Sequence, residues 1–248
     1  MAADDDRRER AASFAGVADA YERARPGYPL DAARWLTGDG PLDVLDLGAG
    51  TGKLTRSLVS VGHRVTAVEP LEAMLAQLRQ AVPGAKAIVG SAESIPLPDA
   101  SMDVVTCAQA FHWFDHDVAI PEIARVLRPD GRLALVWNAR DEREPWVAEL
   151  GDLMVGRTKI IESAPSLMEQ LGLFGPVEHE EFTHVQEMDR VALGELVLSR
   201  SDCAVLPAEE RSPVLERIER LFDAHSRGGV LRMPYVTECF RAPRSAPS

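Results

Sequence analysis

The chain has 248 residues, 46% of them apolar and 27% charged, with a formal net charge of −12. That length fits one large domain or one domain with an inserted cap, and so acidic a surface argues against a nucleic-acid partner. Three scattered cysteines (Cys107, Cys203, Cys239), an N-terminus without a signal-peptide core and the lack of any long apolar run argue against a disulfide framework, a zinc site and a membrane span. A cytoplasmic protein with no metal and no membrane or nucleic-acid partner is therefore expected, its oligomeric state being silent.

Residues 1–8 read as a disordered, charged tail. Phe14, Val17, Ala18 and Tyr21 then recur at helical spacing, and this helix should stop before Pro26. Leu30, Ala33, Trp35 and Leu36 predict a second short helix ended at Gly38. From residue 42 the pattern alternates. LDVLDLG (42–48) is the continuous apolar run of a strand buried on both faces. KLTRSLVSVG predicts a helix capped at Gly62. RVTAVE (64–69) is a strand, LEAMLAQLRQAV a helix, and AKAIVG (85–90) and MDVVTCAQA (102–110) are further strands. VAIPEIARVL (118–127) is a helix, and RLALVWN (132–138) a fifth strand after the turn Pro129-Asp130-Gly131. This rhythm defines an α/β, doubly wound domain.

After residue 138 the rhythm breaks into helical segments over 141–174, a strand HEEFTHVQEMD (179–189) and a helix VALGELVLSR. A longer helix at about 207–225 turns Val214, Ile218, Leu221 and Phe222 inward, and VLRMPYVTECFRA (230–242) is a terminal strand. The expected organisation is N-terminal lid helices (1–37), a cofactor-binding core (38–138), a cap and sheet insertion (139–200), and a C-terminal helix with the closing strand (201–248).

The chemistry lies in LDLGAGTG, which follows a strand and opens a helix. Gly48, Gly50 and Gly52 let the backbone turn tightly and approach a ligand without a Cβ in the way. Glu69, at the end of the second strand, can accept both hydroxyls of a ribose. A dinucleotide fingerprint would read GxGxxG, whereas here the third glycine comes one residue early. Asp46 beside the turn repels phosphate and suits a cationic amine.

With VLDLGAGTGKLT, VTAVEP, GSAESIPLPDASMDVVTCAQAFHWFD, RVLRPDGRLALVWN and FAGVADAYERARPGYP together, the chain resembles the class I S-adenosylmethionine-dependent methyltransferases. Within them it is most similar to the small-molecule group of ubiquinone, menaquinone and trans-aconitate methyltransferases. The resemblance covers roughly residues 14–138. It implies a Rossmann-like sheet of seven strands with the last antiparallel between the fifth and sixth, S-adenosylmethionine as cofactor and S-adenosylhomocysteine as product. It also implies that Gly48, Ala49 and Gly50 lie against the methionine part of the cofactor and that Glu69 holds the ribose. Pro70 and Leu71 would sit beside the adenine, and Ser91, Ala92 and Glu93 would border it. Gln109 and Ala110 would end the fourth strand beneath the sulfonium, and Tyr21, Arg25 and Tyr28 would be lid residues.

AQAFHWFDHD (108–117) then falls at the carboxyl rim of the sheet. Pro121 is poorly tolerated beyond a first helical turn, which favours Asp117 over Asp115 as the N-cap and leaves His112 and His116 mostly in loop. A metal site is not expected there. Phe111, His112, Trp113 and Phe114 read as the wall of the acceptor pocket, with His112 either a polar contact or a general base. A binder of the same cofactor without turnover, and a nicotinamide oxidoreductase, are the competing readings.

Overall fold

A computed structural model describes residues 25–152, 161–198 and 208–245. The expected tail and the helix through Tyr21 lie outside those residues, as does the side chain of Val214. In chain order the elements are α1 (Leu30–Thr37), β1 (Asp43–Leu47), α2 (Lys53–Ser60), β2 (Arg64–Glu69), α3 (Glu72–Ala81), β3 (Lys86–Val89) and β4 (Met102–Ala108). There follow α4 (His116–Val126), β5 (Leu127–Arg140), α5 (Pro145–Asp152), α6 (Ala164–Glu169), β6 (Glu178–Met188), α7 (Arg190–Leu198), α8 (Ala208–His225) and β7 (Leu231–Pro243). The seven strands form one sheet in the order β3-β2-β1-β4-β5-β7-β6. The last strand is antiparallel and lies between the fifth and sixth.

The described residues fall into two compact units, one comprising 27–138, 161–182 and 237–245, the other 25–26, 139–152, 183–198 and 208–236. In the first, side-chain alternation along the strands supplies both faces of the sheet. Val44, Val65 and Val104 meet Ala32, Ala33 and Leu36 of α1 and Leu54 and Leu58 of α2. Leu45, Val105 and Leu135 turn the other way, toward Ile120 and Ile123 of α4 and Met168 of α6. Each fully buried leucine or isoleucine contributes about 1.5–3 kcal/mol. Helix α2 ends with the Gly62 and His63 N–H groups donating back to the Val59 and Leu58 carbonyls, at 3.0 and 3.2 Å. In the second unit Val147, Leu150, Leu193, Val197, Ile218, Leu221 and Phe222 form a separate core.

Pro129-Asp130-Gly131 is not a turn before β5, as expected, but lies inside it. Met102 pairs with Leu127 and Val104 with Arg132, so six residues of β5 oppose three of β4. The extra residues bulge out while pairing continues on either side. Gly131 fits because a Cβ there would stand 3.0 Å from the Asp103 carbonyl. Arg128, within the bulge, bridges Asp103 and Asp43 at 2.6 and 3.0 Å.

Candidate active site

The parallel strands β1, β2, β3 and β4 end at a common edge, with Leu47 beside Val68, Glu69 beside Val89 and Asp46 beside Thr106. The glycine turn leaves that edge at Gly48. The Gly48 and Ala49 N–H groups both donate to the Val68 carbonyl, at 2.8 and 3.2 Å. Gly48 has φ +69°, and a Cβ on it would stand 2.7 Å from the Ala110 Cβ. The turn is therefore packed directly on the segment that follows β4. Gly50 differs: its φ is +56°, but a Cβ there would meet nothing within 4 Å among the described residues. The open side of the turn lies at Gly50.

Glu69, 7% exposed, braces this turn. Its Oε2 accepts the Gly50 N–H at 3.0 Å and its Oε1 accepts the Leu71 N–H at 3.1 Å. Burial pushes its carboxyl above the ordinary range, and the two N–H donors act against that push. Each oxygen keeps acceptor capacity for a further donor. Pro70 beside it is exposed and Leu71 half-buried.

Asp46 is placed differently from the expectation of a cationic-amine contact. It is fully buried, on the α2 face of the sheet, where Thr55 Oγ1 donates to Oδ2 at 2.6 Å and Thr106 Oγ1 lies 3.4 Å from Oδ1. It presents no surface to a ligand; it ties the first turn of α2 to β4 across β1. Burial pushes its carboxyl from 3.8 up to about 6, against the lowering effect of the two hydroxyls. The folded chain thus holds this proton more tightly than the unfolded chain does. The group stabilises the fold most below about pH 4, and that contribution is lost as the pH rises through about 6. Asp46→Asn cannot ionise, so relative to the wild type it is expected to gain about 3 kcal/mol of stability between about pH 4 and pH 7. Denaturant unfolding of both proteins across that range checks it, and parallel pH profiles would refute it.

The loop after β3 carries Ser91, Ala92 and Glu93, with Ala92 buried and the other two half-buried. Arg125 of α4 holds the loop, donating to the Leu97 and Ile95 carbonyls at 2.9 Å each and to Asp99 and Glu122 at 2.7 Å each. Glu93 Oε1 accepts the Asp115 N–H at 3.0 Å, which links this loop to the start of α4.

Strand β4 ends at Ala108, and Gln109 follows with φ +56°, a conformation uncommon outside glycine. Its side-chain amide donates to the Asn138 carbonyl at 3.1 Å and is thereby engaged with β5. Phe111, expected in the pocket wall, is 1% exposed and belongs to the core beside Ile120. An apolar ring on the inward side of the one-turn 3-10 helix Phe111–Trp113 buries where a loop residue would have stayed at the rim. His112, Trp113 and Phe114 are half-buried, with the His112 and Trp113 rings 4.9 Å apart. The N-cap of α4 is Asp115, not Asp117: the Val118 and Ala119 N–H groups donate to the Asp115 carbonyl at 3.1 and 2.7 Å. Pro121 is accommodated at the sixth helical position, where it forfeits only the bond to the Asp117 carbonyl. His116 is consequently helical, stacked on Phe111 with ring centroids 4.7 Å apart.

Tyr21 lies outside the described residues. Arg25 is half-buried, and Tyr28 packs on the α1 side of the sheet, its carbonyl accepting Ser57 Oγ at 2.8 Å. Asn138 escaped the sequence reading. It is 2% exposed, donates to the Gly27 carbonyl at 3.0 Å and accepts Thr237 Oγ1 at 2.6 Å. A polar residue closing the apolar run LALVW was its one signal.

A doubly wound sheet with a glycine turn after its first strand and a braced carboxylate ending its second defines the Rossmann-like class. Residues 45–135 match the family model described as a methyltransferase domain. An uncharacterized methyltransferase of Mycobacterium tuberculosis is 46% identical over 239 residues, spanning 95% of this chain and 97% of that protein. One of Schizosaccharomyces pombe is 37% identical over 214 residues, 83% and 84% of the two chains. The structure of a putative type II methyltransferase from Anaeromyxobacter dehalogenans covers 90% of this chain and 99% of its own, with a TM-score of 0.66 and 28% identity. The chain belongs to the methyltransferase family.

Proposed function

We propose that this methyltransferase uses S-adenosylmethionine and acts on a small-molecule acceptor. The observation that carries the reading is Glu69, buried at the end of β2, bracing the glycine turn with both oxygens and retaining acceptor capacity. A nucleoside with two vicinal hydroxyls fits such a group, and a pyrophosphate does not. The open side of Gly50 fits a ligand chain laid against bare backbone.

S-adenosylmethionine, when bound, supplies a methyl group already activated on a sulfonium. The protein has to bind, align and exclude water. In this reading Glu69 accepts the ribose hydroxyls, and Gly48, Ala49 and Gly50 admit the methionine part. Pro70 and Leu71, with Ser91, Ala92 and Glu93, border the adenine. Trp113 and Phe114 supply apolar surface at the acceptor side, with His112 as a polar contact.

Calorimetric titration of the full chain with S-adenosylmethionine and S-adenosylhomocysteine tests the cofactor, and binding of NADH alone would overturn it. Incubation with a labelled methyl donor and a cell extract should yield a labelled small product; binding without product would identify a non-catalytic binder. With the acceptor recovered from that extract, His112→Ala is expected to raise KM about 10-fold, the value of one lost hydrogen bond, and to leave kcat within a few-fold. A pH-dependent fall in kcat of about 100-fold or more would instead make His112 the general base.

A further inference from the structure

We propose that His179, Glu181 and Glu238 form a site for a divalent first-row transition-metal ion on the sheet, remote in sequence from every residue assigned to the cofactor. His179 and Glu181 are two apart in β6, so strand alternation sets them on one face. Glu238 comes from the neighbouring β7. The candidate ligand atoms of all three lie within 4.8 Å of one another, and His179 Nε2 is 2.6 Å from Glu238 Oε2.

Two features separate this group from an ordinary charged surface. The His179 ring is stacked on Phe240 at 4.6 Å and 20°, and Phe240 is itself buried and set edge-on against Trp137. The imidazole is therefore oriented by the core before any ligand arrives. Arg241, next to the site in β7, faces the other way: it bonds Glu178 at 2.6 Å and lies over Trp35 at 4.3 Å. Among the described residues no arginine or lysine pairs with Glu181 or Glu238.

One imidazole nitrogen and two carboxylate oxygens, with solvent in the remaining position, suit zinc or cobalt; magnesium and calcium take oxygen ligands. Tetrahedral ligands about 2.0–2.2 Å from an ion stand about 3.4 Å apart, a closure that rotation of the two glutamate side chains supplies. The ion takes the place of the proton between His179 and Glu238, and it clips β6 to β7.

The test uses the full chain, stripped of metal with a chelator. Titration with Co²⁺ should give a visible d–d spectrum saturating at one equivalent, and Zn²⁺ should displace it while millimolar Mg²⁺ does not. Zn²⁺ should also raise the thermal midpoint. His179→Ala, Glu181→Gln and Glu238→Gln should each weaken Zn²⁺ binding at least about 10-fold, the value of one lost ligand bond, with far-UV spectra and S-adenosylmethionine affinity unchanged. Glu181→Gln keeps the shape of the site, so it stands even if the histidine variant misfolds. No binding to the wild type, displacement by Mg²⁺, or variants that bind like the wild type would overturn the proposal.

Discussion

Glu69→Ala is expected to weaken S-adenosylmethionine binding about 100-fold, two hydrogen bonds to a carboxylate being worth about 1.5 kcal/mol each. The substitution removes more than the hydroxyl acceptor. It also strands the Gly50 and Leu71 N–H groups, so the glycine turn loses its brace to β2. Glu69→Gln separates the two effects poorly, because its amide nitrogen must face one of those donors, and a loss nearly as large is expected from it. Glu69→Asp keeps the charge but is shorter by one methylene. Calorimetry on all three, with far-UV spectra to confirm the fold, gives the ranking. Wild-type affinity in Glu69→Ala would remove the cofactor assignment.

Gly48→Ala is expected to be among the most damaging single-methyl changes near the site. A left-handed φ costs a non-glycine residue about 1–2 kcal/mol, and overpacking costs about 1–3 kcal/mol more. The overpacking is specific, since the new Cβ would meet Ala110 Cβ at 2.7 Å. For a chain of this length about 3 kcal/mol lowers the thermal midpoint by roughly 6–12 °C. Gly50→Ala is the control: it has the same sign of φ but no described residue within 4 Å of the new Cβ, so it should lose only about 1–2 kcal/mol. Equal losses in the two variants would show that the contact with Ala110 relaxes freely.

The parts of the fold that could be read in advance were those set by local pattern. β2 has the expected bounds, and α1 and the C-terminal strand differ by a residue or so, because apolar spacing and flanking glycines or prolines fix such elements locally. The bulge in β5 was not readable, because Pro-Asp-Gly has the same turn chemistry whether or not the pairing continues beyond it. The carboxylate at Glu69 was visible from its position at a strand end. The partners of Asp46 were not: Thr106 is sixty residues away and becomes its neighbour only through the register of β1 on β4. Phe111 was misplaced for a related reason. Aromatic type announces apolar surface, but only the direction of the 3-10 turn decides whether that surface meets core or solvent. His179 and Glu181 were in view as alternating residues of a strand, yet Glu238 joins them by a pairing that no local pattern contains.

The position of β7 bears on how the molecule is made. The strand that fills the gap between β5 and β6 is drawn from residues 231–243. During synthesis β5 is made roughly ninety residues before its neighbour β7 exists, so its outer edge stays open through that whole interval. An open edge of that kind is a template for pairing with other chains. Final closure must wait for the last strand to insert between two others, a long-range step of the sort that slows folding. A ribosome stalled near residue 225 would therefore hold a nascent chain with an incomplete sheet, and synthesis of residues 231–243 would supply the strand that completes it.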